Sequence, residues 1–222
     1  VLAIRAIWDS WDGGEKLNFQ GEFYSHTLSS PMFSPATMPY GIPKIFLAGV
    51  GPKMTEVVGE VADGYFMHPF NSERSTAELS IPALQRGFEK AGKTREDFVI
   101  SAQVVTATGL NEEQMKASEH AARNQIAFYG STPAYRPILE VHGWEDLQPE
   151  ANRLSKEGKW DQMADLVDDK MLHTFAVVGE PKDIARQMVD RFAGTAERLS
   201  PVVYESNTEL LKTILNEVKA LA

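Results

Sequence analysis

The 222-residue sequence contains no cysteine, and it has fewer basic than acidic side chains. Without cysteine there are no disulfides, thiolate nucleophiles, iron–sulfur clusters or cysteine-ligated zinc sites, although the cellular compartment stays open. The net charge is −9, with −3 over residues 1–100 and −6 over residues 101–222. This negative balance on both halves argues against nucleic acid or an anionic membrane as a partner.

Long hydrophobic runs and metal-ligand patterns are also missing. The longest apolar-leaning uncharged run, Phe98–Leu110, is too short to cross a bilayer, and the chain does not open with a signal-peptide pattern. The five histidines lack the spacing of metal ligands, so no metal is expected. Hydrophobic residues make up 43% and charged residues 24%, which is typical of folded chains. We expect a soluble, cytoplasmic protein with one large or two small domains.

Two segments precede the first predicted strand–helix unit. Residues 1–11 place apolar side chains at helical spacing without a start signal, which indicates the last turns of a helix that begins outside the sequence. An ordinary frayed start is the alternative. Residues 17–29 carry aromatic and β-favouring side chains around Gly21 and predict a short hairpin.

Four short apolar runs, each followed by a helical pattern, predict strand–helix units. The runs are Lys44–Gly49, Gly64–His68, Phe98–Thr106 and Leu199–Tyr204. Such alternation predicts a parallel sheet covered by helices. Predicted helix caps are a Ser75–Glu78 capping box, Asn111 with Gln114, and Asn207. Residues 131–170 contain several short helical patterns and no strand pattern.

The turn after the first run is the best candidate for a ligand site, because ligands of parallel α/β folds gather at the carboxyl ends of strands. Gly49 and Gly51 permit close approach and positive φ, Pro52 favours the first helical position, and Lys53 adds a positive charge. The free N–H groups and dipole of a helix N-terminus suit a phosphate. The alternative is a tight turn that needs glycine for packing alone, since short Gly-x-Gly matches are common.

His68 closes the second predicted strand and is expected to face the same edge of the sheet. A histidine in that position is suited to hydrogen-bond a ligand or to act as an acid or base. The alternative is a structural histidine, because no partner is specified by its spacing. Asp63, at the start of that strand, favours a structural cap or turn.

The order of several segments is similar to that of a known family. The segments are GEFY, IFLAGVGPKMTEVVGEVADGYFMHPF, QIAFYGSTPAYRPILEVHGW and FAVVGEPKDIARQMVDRF. Together they resemble the C-terminal two-thirds of a luciferase-like monooxygenase, and they are most similar to the branch that uses the deazaflavin coenzyme F420. The resemblance runs from about Ile4 to Tyr204.

This resemblance implies a fold and a site. The four predicted strands would be strands five to eight of a TIM barrel within a single domain, 1–222, and residues 131–170 would be a helical insertion before the last unit. The turn Gly49-Val50-Gly51-Pro52, with Lys53, would hold the phosphate end of coenzyme F420 or FMN. His68 and the segment Tyr129–Arg136 would be substrate-side contacts.

The resemblance also implies an oxidoreductase that acts on a small organic substrate, either by hydride transfer or by oxygenation. Nothing in the sequence corresponds to strands one to four, which supply the ring pocket in this family. We expect either a fragment or a tight homodimer, with a genuine half-barrel as the alternative. The competing function is a catalytically incompetent barrel fragment that serves as a coenzyme-binding or dimeric assembly module. The residues alone also leave open an unrelated α/β protein.

Overall fold

The structure is a computed structural model, and it describes residues 1–35, 38–204 and 208–221. The strands are β1 (Phe19–Gln20), β2 (Ser25–His26), β3 (Phe46–Gly49), β4 (Gly64–Met67), β5 (Val99–Ala107), β6 (Ala176–Val178) and β7 (Arg198–Val202). The α-helices are α1 (Leu2–Trp11), α2 (Pro52–Val61), α3 (Glu73–Ser75), α4 (Ile81–Ala91), α5 (Glu112–Gly130), α6 (Arg136–Glu140), α7 (Leu147–Lys156), α8 (Trp160–Met163), α9 (Asp169–Phe175), α10 (Pro181–Phe192) and α11 (Thr208–Leu221). A π-helical turn (Thr76–Ser80) joins α3 to α4, and a 3₁₀ turn (Pro133–Tyr135) precedes α6.

Residues 1–26 contain the predicted helical segment and the predicted hairpin. α1 covers most of residues 1–11, and β1 pairs antiparallel with β2, with Phe19 opposite His26. The predicted cap Asn207 lies outside the described residues.

A parallel sheet organises the rest of the chain. Its strands lie in the order β3-β4-β5-β7, so that Tyr65 is paired with Ile100 and Ala102 is paired with Leu199. Helices link the successive strands, and Asn111 caps α5 as predicted by accepting a hydrogen bond from the Gln114 N–H at 2.9 Å. The predicted α/β class is confirmed, and the sheet has the strand order of part of a TIM barrel.

The sheet contains one strand more than the four predicted. Val105 of β5 is paired with both Ala176 of β6 and Val202 of β7, so these two strands lie on opposite sides of β5. β6 has only three residues and extends the sheet beyond the end of β4. Its length explains why the sequence pattern missed it, because strands shorter than about four residues carry little periodicity.

Two apolar clusters hold the helices to the sheet. The first cluster joins the outer face of the sheet to α2, α4, α10 and α11, and its members include Val58, Leu84, Ile100, Ile184 and Ile214. The second cluster joins the end of β5 to α5, α6, α7 and α9 and includes Phe70, Ile126, Leu139, Leu172 and Phe175. Each cluster is built from side chains that are almost fully buried.

Residues 131–170 fold into short helices packed over the second cluster. The interpretation of this segment as an insertion within a single domain stays a prediction. Among the described residues, no helix is both long and apolar enough to cross a membrane.

Candidate functional site

A cleft opens where β3 and β4 end. The two strands are parallel, so their carboxyl ends meet at one edge of the sheet, and residues 134–138 form the opposite wall. The cleft encloses about 460 Å³, including its open mouth. It is lined by Gly49, Val50, Gly51, Pro52, Thr55, Tyr65, Met67, His68, Phe70, Asn71, Ser75, Leu79, Ser80, Ala134, Pro137 and Ile138. This lining, taken over the described chain, contains no Asp, Glu, Lys or Arg, so backbone groups and hydroxyls supply most of its polarity.

The turn from Gly49 to Pro52 forms one end of the cleft. Gly49 is buried, and a Cβ atom added there would lie 3.1 Å from Val58 Cγ2, so a larger residue would crowd the Val58 side chain. Gly51 has φ +76° and ψ 158°, a conformation that essentially only glycine adopts. Nothing lies within 4 Å of the position of its missing Cβ, so the space beside it is open. The two glycines therefore have different roles, packing at Gly49 and backbone conformation at Gly51.

Gly51 is also the N-cap residue of α2. No side chain in the described part of the chain caps this helix, and no acidic residue lies in its first turn. The N–H groups at the start of a helix lack intrahelical partners, and the helix dipole favours an anion beside them. Lys53, the second helical residue, is exposed and lies outside the cleft lining. The helix start is therefore chemically suited to an anion.

Tyr65 of β4 is hydrogen-bonded to the first residue of this turn. Its side chain is 3% exposed, and its hydroxyl donates a hydrogen bond to the Gly49 carbonyl at 2.8 Å. Burial raises the pKa of Tyr65, while the neighbouring Thr55 and Ser80 hydroxyls act in the opposite direction. The phenol thus contacts the end of β3, the first turns of α2 and the π-helical turn.

His68 follows β4 and lies at the cleft as predicted. Its Nδ1 accepts a hydrogen bond from the Phe70 N–H at 3.1 Å, and its Nε2 lies 3.4 Å from the Tyr135 hydroxyl. Its ring packs edge-on against Tyr129, with centroids 4.6 Å apart. Burial lowers the pKa of His68. A neutral imidazole with its proton on Nε2 is the form that satisfies these contacts.

The loop after His68 is fixed by side-chain hydrogen bonds. Asn71 Nδ2 donates to the His68 carbonyl at 2.6 Å and to the Gln103 carbonyl at 3.2 Å. The Ser72 hydroxyl accepts from the Ser75 N–H at 3.0 Å and lies 2.8 Å from His142 Nε2. These bonds connect the loop to β5 and to the turn that follows α6.

The predicted Ser75–Glu78 capping box is wrong. The observed box joins Ser72 and Ser75, and the helix begins three residues earlier than predicted. Only Ser75–Glu78 matches the usual sequence pattern of a capping box, because the observed box has a serine, Ser75, where that pattern has Glu or Gln.

Two tyrosines outside the cleft lining pack against His68. Tyr129 and Tyr135 pack against each other with ring centroids 6.1 Å apart, and both contact His68. Burial, together with the adjacent Tyr129 hydroxyl, raises the pKa of Tyr204 well above its ordinary value. Arg136, at the end of the predicted segment, pairs instead with Glu140 at 2.9 Å and does not line the cleft.

Asp63 and the loop after β5 do not line the cleft. Asp63 Oδ2 accepts from the Ile45 N–H and pairs with Arg5, each at 2.8 Å, so it braces the amino end of the sheet. The loop after β5 packs on α5, because the Thr108 N–H donates to the Ser118 hydroxyl at 3.0 Å. In the described residues, no cluster of three or more histidine or carboxylate side chains is placed to hold a metal ion.

Sequence reasoning did not identify Tyr65, Asn71 or Ser72. The sequence gives a weak indication that Tyr65 makes a specific contact, because the hydroxyl of a tyrosine on a buried strand needs a hydrogen-bond partner. The Asn71 and Ser72 contacts depend on residues 32 and 70 positions away, and no local pattern specifies them.

The family model for luciferase-like monooxygenases matches residues 1–198. The chain belongs to the luciferase-like monooxygenase family. This membership confirms the resemblance and excludes an unrelated α/β protein.

Luciferase-like relatives extend beyond this chain. Uncharacterised proteins of Mycobacterium bovis and Mycobacterium tuberculosis are 48% identical over 219 residues, which is 99% of this chain and 64% of theirs. A 5,10-methylenetetrahydromethanopterin reductase of Archaeoglobus fulgidus is 27% identical over 182 residues, 79% of this chain and 51% of the reductase. The chain therefore spans between half and two-thirds of the length of these relatives.

Solved structures confirm the fold of this luciferase-like chain. The coenzyme F420-dependent tetrahydromethanopterin reductase of Methanopyrus kandleri superposes with a TM-score of 0.73 at 17% identity, covering 98% of this chain and 61% of the reductase. An F420-dependent secondary alcohol dehydrogenase gives 0.60 at 15% identity, covering 97% and 58%. At these identities the likeness concerns the fold.

Proposed function

We propose that this chain binds the phosphate of a deazaflavin or flavin coenzyme at Gly49, Val50, Gly51, Pro52 and Lys53. The observation that carries the proposal is the uncapped start of α2, where Gly51 leaves open space at the carboxyl edge of a parallel sheet. The residues fit the group, because main-chain N–H groups at the start of α2 are available to a phosphate and Lys53 adds a positive charge to the same helical turn. Carboxylates are missing from the described lining, so nothing in it repels an anion.

We further propose that the chain belongs to an oxidoreductase that transfers hydride between coenzyme F420 and a small organic substrate. F420 is favoured over FMN because two of the similar solved structures are named as F420-dependent. A bound deazaflavin supplies or accepts the hydride. The residues of this chain orient the coenzyme at the turn, and the His68 side chain lines the cleft beside it.

His68 is the candidate for the substrate-side hydrogen bond. Its neutral imidazole donates from Nε2, which suits the oxygen or nitrogen of a carbonyl or imine. Oxygenation with FMN is the alternative chemistry, since one similar structure is an EDTA monooxygenase with a TM-score of 0.58.

A coenzyme-binding or assembly module without turnover is the second candidate. Aromatic side chains at 69–100% exposure on the hairpin and the following loop favour self-association; they are Phe23, Tyr24, Phe33 and Tyr40. Coenzyme binding with no hydride transfer to any substrate would support this candidate. A homodimer and a cytoplasmic location remain predictions from the sequence.

The phosphate proposal is tested by Lys53→Glu. An acidic residue in the first turn stabilises a helix by about 0.3–1 kcal/mol, so the fold should be kept. The same charge repels a phosphate, and we expect affinity for coenzyme F420 to fall about tenfold or more in a fluorescence titration.

Lys182→Glu is the matched control. Lys182 is exposed and follows the first-turn proline of α10, just as Lys53 follows Pro52 in α2. The control gains no helix stability, because Glu180 and Asp183 already flank position 182, and it should keep the affinity of the parent chain. Equal coenzyme affinity in Lys53→Glu and Lys182→Glu would contradict the phosphate site.

A further inference from the structure

We propose that Tyr65 is the positioning residue that sets the direction of the Val50 amide in the phosphate-binding turn. This inference rests on the proposed function. It starts from the hydrogen bond that the Tyr65 hydroxyl donates to the Gly49 carbonyl at 2.8 Å.

The geometry of one peptide unit links the two groups. The Gly49 carbonyl and the Val50 N–H belong to the same peptide plane, and in a trans peptide they point in opposite directions. Since Tyr65 holds the carbonyl toward the buried phenol, the Val50 N–H is directed away from it. The Tyr65 hydroxyl therefore determines which way an anion-binding donor faces, although it need not touch the anion.

The turn requires such a restraint from outside. Glycine on both sides of Val50 gives the backbone access to many conformations. Gly51 has no Cβ atom to restrict its own φ angle, which is +76° here. A side-chain hydrogen bond in a water-excluded position is correspondingly strong. Tyr65 is 3% exposed, which meets that condition.

Two hydroxyls lie close to the phenol. Thr55 of α2 and Ser80 of the π-helical turn lie beside the Tyr65 hydroxyl. Thr55 is buried at 2% exposure, and its N–H donates to the Gly51 carbonyl at 3.1 Å. The phenol and the Thr55 N–H thus bond the carbonyls of Gly49 and Gly51, the two residues that flank Val50.

A purely structural role makes a different prediction. If the hydroxyl only satisfies a buried carbonyl, its removal lowers stability and weakens every ligand alike. If it positions the Val50 amide, its removal weakens ligands that carry a phosphate and spares those that do not. FMN and riboflavin differ by this phosphate alone, so they form the decisive pair.

The experiment is a titration of Tyr65→Phe with FMN and with riboflavin. We expect FMN affinity to fall roughly two- to tenfold, the range of one hydrogen bond, with riboflavin affinity unchanged. Tyr40→Phe is the control, because the Tyr40 side chain is fully exposed and should leave both affinities unchanged. Thr55→Val, which removes the supporting hydroxyl at similar volume, should produce a smaller loss in the same direction and serves if Tyr65→Phe does not fold.

The outcomes separate the two proposals. A wild-type chain that binds FMN and riboflavin equally contradicts the phosphate site itself. A wild-type preference for FMN that persists unchanged in Tyr65→Phe and Thr55→Val overturns the role of Tyr65 alone. A loss of the FMN preference in Tyr65→Phe supports both.

Discussion

His68 is the residue whose protonation state bears most directly on the cleft. Its Nδ1 is occupied by the Phe70 N–H, which leaves Nε2 as the atom that carries the proton in the neutral ring. Burial lowers the pKa of His68, so the ring is uncharged near neutral pH. A neutral donor on Nε2 is therefore the state available to a substrate or to Tyr135.

The lowered pKa predicts a pH dependence of stability. Below the ordinary histidine pKa of about 6.5, the unfolded chain takes up a proton that folded His68 resists. Stability contributed by neutral His68 is thus fully present above that pH and is lost as the pH falls through the folded pKa. Burial also lowers the pKa of His142, which adds a loss of the same sign.

We expect His68→Gln to reduce this acid-induced loss. The free energy of unfolding, measured in urea at about pH 7.5 and about pH 5.5, should differ less in the variant than in the parent chain. His26→Gln, on the exposed hairpin, should leave the difference as it is. The same acid-induced loss in His68→Gln and in the parent would show that His68 is not the group responsible.

Among the helices, α2 and α4 set the position of the candidate turn. They cross at two glycines, and a Cβ atom on Gly87 would lie 2.1 Å from the Glu56 carbonyl oxygen. A Cβ atom on Gly59 would lie 2.5 Å from the Leu84 carbonyl oxygen. Glu56 also pairs with Arg86 at 2.9 Å and with Lys90, so polar contacts reinforce the close approach.

Gly87→Ala should therefore be destabilising, although alanine is the better helix former by about 1 kcal/mol. The added methyl group has to separate the two helices, and overpacking of this kind costs about 1–3 kcal/mol. Urea unfolding measures the change. Glu89→Ala, on the exposed side of α4, should stay within about 0.5 kcal/mol of the parent. A stabilised Gly87→Ala variant would contradict the glycine crossing.

The π-helical turn between α3 and α4 contributes side chains to the cleft. It closes with the Ile81 N–H bonded to the Thr76 carbonyl, and Leu79 and Ser80 from this turn line the cleft. Such turns occur frequently at functional sites. Here the turn places the Ser80 hydroxyl beside the Tyr65 hydroxyl.

At the scale of the whole molecule, sequence patterns were sufficient for the parallel sheet and the turn at its edge. Apolar runs identified β3, β4, β5 and β7 to within two residues at each end, because buried parallel strands are continuously hydrophobic. Pro52 and the glycines before it located the start of α2. The family resemblance supplied the barrel, which periodicity alone did not specify.

What the sequence did not reveal depends on contacts between distant residues. β6 is too short for a pattern, although it too is followed by a glycine, Gly179, and then by a helix-starting proline, Pro181. The bonds from Tyr65 to Gly49 and from Ser72 to His142 join residues 16 and 70 positions apart. Hydrogen bonds of this kind are specified by the fold and not by local spacing.

The open inner face of the sheet fits the partial coverage of the relatives. Phe66 of β4 is 42% exposed and lies 5.2 Å, ring to ring, from Phe46 of β3. An aromatic pair on a sheet face is usually covered by further structure. Coenzyme binding is the property for which this chain itself can be tested.

The most direct test of the central claim is a crystal structure of the chain with coenzyme F420. The account predicts a phosphate oxygen within about 3.2 Å of the main-chain N–H nitrogens of residues 50, 51, 53 or 54, with the Tyr65–Gly49 bond retained. A coenzyme bound elsewhere, with its phosphate away from the start of α2, would contradict it.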